Sequence, residues 1–240
     1  MAHYKLHCLA LFFWLISFIL LQYCSCSYAG PSGLLQILPE RLRSFVAAYL
    51  WEKADHLMHH GPVVDAQKFT AGAYGGNTDI VPLLKMVIAL CPDQVAPYRL
   101  LATNYAYHLG MRSEAFALLD KAKKDCAKSV NYHELFAAEA FIRIFSQNSR
   151  EEQKEQLDKA LALINEAISC YQPDEKLPDP AFKLENYYIV KSRLHWELHE
   201  PEKALESWKN SGASLEDSKD TLARFLNLYR TTGKYTSFKD

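Results

Sequence analysis

Two pairs of histidines have the spacing that lets a helix present two metal ligands on one face. His56 and His60 are four residues apart, and His195 and His199 repeat that spacing in the stretch HWELH. Residues at i and i+4 lie on the same side of a helix, so each pair could supply two imidazole ligands to a metal ion. Neither pair has an acidic residue that obviously completes a ligand set, which makes both weak metal candidates.

The alternative interpretation is that these histidines are polar residues at helix ends, where His is favoured by the helix dipole. Glu197 follows His195 by two residues, whereas the metalloprotease motif requires a glutamate directly after the first histidine. The sequence contains neither a Walker-type phosphate loop nor a Gly-x-Ser-x-Gly nucleophile motif. These observations predict a protein that is not an enzyme and needs no cofactor.

Composition points to a folded domain without a nucleic-acid partner. The chain has 240 residues, of which 49% are hydrophobic and 23% charged, enough for a substantial core. Lys5 is the one charged residue among the first 29, so the remainder carries 26 basic and 28 acidic residues. A net charge near zero gives no electrostatic reason for binding nucleic acid.

The N-terminal 29 residues have the layout of a secretory signal peptide. The apolar run Cys8–Leu21 is short for a membrane span, and small residues at Ser27 and Ala29 fit a cleavage site after Ala29. An uncleaved signal anchor and a lipoprotein modified at Cys24 or Cys26 are the alternatives. Each interpretation predicts an exported protein that is periplasmic, extracellular or membrane-anchored, with its body outside the cytosol.

Helical periodicity without strand alternation runs through the rest of the chain and predicts an all-α fold. We expect a linker at residues 30–38, a helical domain at 39–232 and a tail at 233–240. A glycine-containing loop at 62–76 is a candidate partner contact. The predicted helices, with approximate ends, are 39–60, 78–90, 95–109, 113–126, 131–147, 151–171, 181–198, 201–210 and 214–231.

Three of these helices share a pattern in which a small residue is followed by a large one four positions later and by another small one three later. A neighbouring helix can approach closely at the small residues, while the large residue fills the space between them. One such helix cannot bury its own face, so the copies are expected to stack. The three sets are Ala115, Leu119 and Ala122; Ala160, Ile164 and Ala167; and Ala204, Trp208 and Ser211.

This pattern resembles the second helices of the tetratricopeptide repeat (TPR) family, over about Pro39–Tyr229. Cys91-Pro92-Asp93 is also similar to the Pro-Asp ending between repeats of that family. The matching alanines recur every 44 to 45 residues, which longer connections can explain, although HEAT-like helix pairs have a similar period. The resemblance implies an α-solenoid of antiparallel helix pairs, preceded here by the hydrophobic signal or anchor helix, that binds a protein or peptide through its concave face.

In TPR-like arrays the first helix of each pair lines the concave groove. Counting back from the expected turns at Gly61, Gly110 and His199 gives a set of groove candidates that combines aromatic and polar side chains. The alternative is that the aromatic members of the set are core residues. The candidates are Trp51, Asp55, His59, Asn104, Tyr107, His108, Asn186, Arg193 and Trp196.

Three cysteines follow the leader, and each falls at the predicted end of a helix. Cys91, Cys126 and Cys170 are an odd number, which does not suggest a disulfide framework. Unpaired cysteines are commonly buried, and this is the expected state here. A Cys91–Cys126 disulfide is the alternative.

The sequence thus predicts an exported or membrane-anchored TPR-like scaffold that binds a protein or peptide partner. A small exported helical enzyme or metal-binding protein that uses the histidine pairs is one alternative. A structural subunit of a membrane complex, held by an uncleaved leader, is another.

We expect mass spectrometry of the mature protein to find an N-terminus at Gly30, because signal peptidase prefers small residues at Ser27 and Ala29. An intact Met1 species in the membrane fraction would instead identify an anchor. An intact chain in the cytosol would contradict export.

Overall fold

A computed structural model describes residues 38–60, 80–145, 150–173, 183–216 and 218–238. These residues form helices and no strands, which confirms the all-α prediction for this part of the chain. The leader and the 62–76 loop lie outside it. The helices are α1 (Glu40–His60), α2 (Ile80–Leu90), α3 (Val95–Tyr107), α4 (Arg112–Asp125), α5 (His133–Ile144), α6 (Arg150–Cys170), α7 (Leu184–Glu197), α8 (Pro201–Ser211) and α9 (Thr221–Thr232).

The chain divides into two compact units, at Pro92 and Asp93. In the first unit α1 packs against α2. Their shared core contains Ala47 and the buried face of α2, and Trp51 packs against it while half-buried. Across the described ranges, no helix is both long enough and apolar enough to cross a bilayer.

The second unit is built from three successive helix pairs, followed by α9. Helices α3 and α4, α5 and α6, and α7 and α8 pack within their pairs. Between pairs, α5 contacts both α3 and α4, and α6 contacts α7, while α9 packs on α8. Each pair is therefore joined to the next through the first helix of the later pair.

The small and large residues of the second helices are buried, as their pattern predicts. Ala115, Ala160 and Ala204 each have 0% of their surface exposed, and the large residues that follow them have at most 2% exposed. Ser211, the last small residue of the third set, is half-buried. The alanine positions are therefore places of close helix contact, where a larger side chain would meet neighbouring atoms.

Left-handed backbone conformations end helices at the predicted turns of the second unit. Gly110 (φ +67°) follows α3, and Gly212 (φ +77°) ends α8. His199, with φ +62°, occupies the turn between α7 and α8, where a non-glycine residue is uncommon. These positions confirm the turns expected at Gly110 and His199.

Two helix boundaries differ from the prediction. Helix α9 begins at Thr221 and not near residue 214, because the Asp220 carboxylate accepts a hydrogen bond from the Leu222 N–H (2.7 Å) and caps the helix there. Helix α5 ends at Ile144 and not near residue 147, and Phe145, which follows it, is 69% exposed.

Cys91 and Cys126 do not form the alternative disulfide. Cys91, Cys126 and Cys170 are thiols, the first two buried and the third half-buried. Burial raises the pKa of the Cys126 thiol to about 11, so this group is not a reactive thiolate at neutral pH.

We expect Ala160→Leu to lower the free energy of unfolding by about 1–3 kcal/mol, because three additional carbon atoms must fit a fully buried helix contact. Chemical denaturation followed by circular dichroism measures the change. Ala162→Leu is the matched control, since this alanine lies on the exposed side of the same helix. Equal stability of the two variants would contradict close packing at Ala160.

Candidate functional site

An exposed pair of aromatic rings lies at the ends of α3 and α5. Tyr107 is 41% exposed and Phe145 is 69% exposed, and their rings meet edge to face with centroids 6.3 Å apart. Leu109, two residues after Tyr107, is 37% exposed. Clustered large apolar side chains at a surface are typical of interaction sites, whereas isolated ones are ordinary. We call Tyr107 and Phe145 the aromatic edge.

The turn after α3 fixes the position of Tyr107. The His108 N–H bonds to the Asn104 carbonyl (3.0 Å), and the Met111 N–H bonds to the Tyr105 carbonyl (2.8 Å). Gly110 supplies the left-handed residue between them, a conformation that glycine adopts without steric cost. Tyr105 is buried while Tyr107 is exposed, so the last turn of the helix presents Tyr107 outward.

Tyr107 is a neutral phenol at physiological pH. Partial burial raises its pKa to about 12, and the positive charge of Arg112 offsets part of that rise. Its hydroxyl can therefore donate a hydrogen bond to a partner while its ring offers apolar surface. Tyrosine is enriched at binding hot spots for this combination.

Near the N-terminal ends of the same helices, polar side chains join the first helices of the pairs. Arg99 on α3 forms a salt bridge with Glu134 on α5, with 3.1 Å between Nε and Oε2. A 2.6 Å hydrogen bond joins the Nδ1 atom of His133, next to Glu134, and the hydroxyl of Tyr187 on α7. The Tyr171 ring packs against both His133 and Tyr187. These contacts link α3, α5 and α7.

Burial keeps the His133–Tyr187 pair uncharged. It lowers the pKa of His133 and raises that of Tyr187, to which the negative charge of Glu134 also contributes. His133 is 1% exposed and Tyr187 is 0% exposed. A substrate could not reach either group unless the helices separated, so the pair serves helix packing and not acid–base chemistry.

A second polar cluster joins α4, α5 and α6. The Glu139 carboxylate accepts hydrogen bonds from Lys123 and from Arg143, the latter at 2.6 Å, and Arg143 also donates to Gln156 (3.1 Å). Burial alone would raise the pKa of Glu139, but the two cationic donors outweigh it and hold that pKa below its usual value. The Arg143 guanidinium lies 4.4 Å from the centroid of the Phe116 ring. This cluster is also engaged in packing.

The predicted groove residues of the first unit are not exposed aromatic or acidic surface. Trp51 is half-buried against the core shared by α1 and α2, as the core interpretation proposed. Asp55 is half-buried. The side chain of His59 lies outside the described part of the chain.

In the second unit the predicted groove residues divide between surface and core. Tyr107, His108, Asn186 and Arg193 are exposed. Trp196 is 0% exposed, which corrects its assignment to an open groove.

Asn104 is also a core residue, 3% exposed, and its Oδ1 atom has no hydrogen-bond partner among the described residues. Trp196 belongs to a core that α7 shares with α8 and α9, and residues 235 to 238 of the same chain also lie against α7 and cover it. A contact 40 residues away along the chain cannot be read from helical periodicity.

The His195/His199 pair does not form the predicted two-ligand arrangement, and the His56/His60 pair lies partly outside the described residues. His195 is buried, and its Nδ1 atom lies 2.7 Å from a carboxylate oxygen of Glu200. His199 lies beyond the end of α7 and packs on the Tyr235 ring, so the i, i+4 relation is broken by the turn. His56 is exposed, and the side chain of His60 is not described.

A metal site needs convergent ligands, and the described ranges contain no group of three or more His, Cys, Asp or Glu side chains placed to hold an ion.

Sequence reasoning missed His133, Glu134, Tyr187 and Phe145. Two of these could have been suspected, since His133 and Glu134 open a helix whose other residues are mostly apolar. The partner of each, however, is on another helix. No local signal identifies such a partner.

We expect the free energy of unfolding to fall as the pH drops below about 6.5, the ordinary histidine pKa. Over this range His133 binds a proton in the unfolded chain, whereas folded His133, with its lowered pKa, does not. The free energy of unfolding therefore falls by at most about 1.4 kcal/mol per pH unit. His133→Gln removes this titration, so its stability profile between pH 7 and pH 5 should be flatter. Denaturant unfolding at several pH values measures it.

His108→Gln is the control for this experiment, because His108 is exposed and its substitution should leave the profile of the parent unchanged. An unaltered slope in His133→Gln would contradict the burial of a neutral imidazole. Acidic groups such as Glu139, whose pKa is lowered, act in a separate window below about pH 4.5.

No protein-family model matches this chain, and comparisons with curated proteins and with solved structures also found no match. The TPR resemblance therefore stays a prediction based on the second-helix pattern.

Proposed function

We propose that this protein is a TPR-like helical-repeat scaffold that binds a protein or peptide partner, with the aromatic edge as part of the contact surface. The observation that carries the proposal is the ring contact between exposed Tyr107 and exposed Phe145. Both residues belong to first helices of pairs or directly follow them. The first-helix side is the one that a TPR-like array uses for binding.

The packing of the second helices supports the scaffold part of the proposal. Ala115, Leu119 and Ala122 are fully buried on α4, and their counterparts Ala160, Ile164 and Ala167 are fully buried on α6. A solenoid is built by repeating the same helix packing along the chain. The first helices are then left to present a surface that varies from pair to pair.

The use of the buried polar groups favours binding over catalysis. His133 is engaged with Tyr187, Glu134 with Arg99, and Glu139 with Lys123, in each case between helices. A catalytic constellation needs groups that face a substrate. We therefore propose a non-enzymatic role without a cofactor.

Export or membrane anchoring remains part of the proposal and is supported by the sequence of the leader alone. The apolar run Cys8–Leu21 and the small residues before Gly30 are its basis. The partner is accordingly a protein or peptide met outside the cytosol or at the membrane.

The proposal is tested by photo-crosslinking followed by affinity measurement. A photoreactive phenylalanine analogue at position 107 or 145 should capture one defined partner in native cells. Tyr107→Ala and Phe145→Ala should then each weaken binding of that purified partner about tenfold or more, since aromatic hot spots carry much of an interface. Their melting temperatures should stay near that of the parent, because both side chains are exposed.

Phe45→Ala is the matched control, since Phe45 on α1 is 67% exposed and resembles Phe145 in exposure and residue type. It should bind the partner as the parent does. Weaker binding of Phe45→Ala together with normal binding of both edge variants would move the contact surface to α1 and contradict the proposal.

A further inference from the structure

The C-terminal end of the described chain crosses the aromatic side chains of α7 and α9. We call residues 234–238 the C-terminal strap. The Trp196 indole N–H donates a hydrogen bond to the Thr236 carbonyl (3.0 Å). In return, the Tyr235 hydroxyl donates to the Trp196 carbonyl (2.9 Å). One tryptophan thus contacts the strap through both its side chain and its backbone.

Two aromatic side chains of the strap, three residues apart, extend these contacts. The centroids of the Tyr235 and Trp196 rings are 4.7 Å apart. The Phe238 ring lies 5.1 Å from that of Phe225 on α9, and the Arg193 guanidinium lies 5.1 Å from the Phe238 centroid. A cation over an aromatic face is attractive, most strongly when it is shielded from water.

The strap differs from the helices it covers. It follows Gly233, whose left-handed conformation (φ +70°) ends α9, and residues 235–238 are half-buried and non-helical. Each contact described above uses a side chain of the strap or of the surface below it. The strap could therefore leave without unwinding a helix.

The surface beneath the strap has the features of a peptide-binding site. Trp196 is fully buried, and a departing strap would leave its indole N–H in need of a new acceptor. Phe225 and Arg193 would present an aromatic face and a cation beside it. Tryptophan and arginine are the residues that dominate binding energy at protein interfaces.

We propose that the surface formed by Arg193, Trp196 and Phe225 binds extended peptide segments with two aromatic side chains three residues apart, and that the strap occupies this site as a displaceable internal ligand. A bound peptide would make the same contacts that the strap makes. A backbone carbonyl accepts from the Trp196 indole, a first aromatic residue packs on the Trp196 ring, and a second lies between Arg193 and Phe225.

This inference deepens the proposed function and rests on it for the class of ligand. It concerns a different place on the second unit, on α7 and α9, whereas the aromatic edge follows α3 and α5. Arg193 and Trp196 were both candidate partner-binding residues in the sequence. The strap, together with the core residues of α8 and α9, accounts for the burial of Trp196 in the chain without a partner.

The test uses the full chain and a labelled peptide of residues 233–240, GKYTSFKD. The Tyr235→Ala/Phe238→Ala variant weakens the internal ligand, so fluorescence anisotropy should show the peptide binding at least about tenfold more tightly to it than to the parent. A peptide in which both aromatic residues are alanine should not bind. Adding Arg193→Ala to the variant should weaken peptide binding severalfold.

Leu228→Ala is the matched control, since this exposed residue of α9 is outside the strap contacts described above and the variant should bind the peptide as the parent does. Phe238→Ala alone is the milder second variant and keeps the packing of Tyr235 on Trp196. It should remain folded by circular dichroism and gain peptide affinity at least about threefold.

A folded strap variant with no gain in peptide affinity would overturn the inference, and so would equal binding of the alanine peptide. Loss of helical structure in Phe238→Ala would also overturn it, because a displaceable ligand cannot be required for folding. The assay needs no cellular partner, so its failure would leave crosslinking at positions 107 and 145 unaffected, and the reverse also holds.

Discussion

Close contact at buried alanines is the constraint on which the second unit depends. Ala115 and Ala204 lie in the first turn of α4 and of α8, Ala160 lies in the middle of α6, and none of the three has exposed surface. Helix axes in proteins lie about 8–10 Å apart, and the smaller side chains at a contact allow the shorter distances. With the backbones this near, there is room for one large residue per turn of contact, as at Leu119 and Ile164.

Tight packing of the helices explains why the polar residues between them are paired. Once α5 lies against its neighbours, the charges of Glu134 and Glu139 are removed from water, a change that is costly unless cationic partners are present. Arg99 meets Glu134, while Lys123 and Arg143 meet Glu139. Such pairs disfavour a shifted helix register, because a shift would leave a buried charge alone.

The two surfaces proposed for binding in this unit lie where the regular packing stops. Phe145 is exposed because α5 ends one residue before it, and Tyr107 because α3 ends at its own position. The strap likewise begins where α9 ends, at Gly233. Stacked helix pairs bury their apolar faces against one another. Helix ends and the segment after α9 are therefore places where side chains can contact other molecules.

The sequence by itself determined the helices and the small and large positions of the second helices, because both follow from spacing within one element. Gly110 and His199 were likewise predictable as turns from what lies next to them. Only the tertiary structure decided that His133 bonds to Tyr187, that Trp196 is covered by Tyr235 and Thr236, and that Phe145 faces outward.

The physical reason is the range of each interaction. A helix repeats every 3.6 residues whatever surrounds it, so the position of its apolar stripe can be predicted from the local sequence. Trp196 would have the same place in that repeat with or without the strap. Its burial depends on α8, on α9 and on a segment about 40 residues later, all of which reach it only through the tertiary fold.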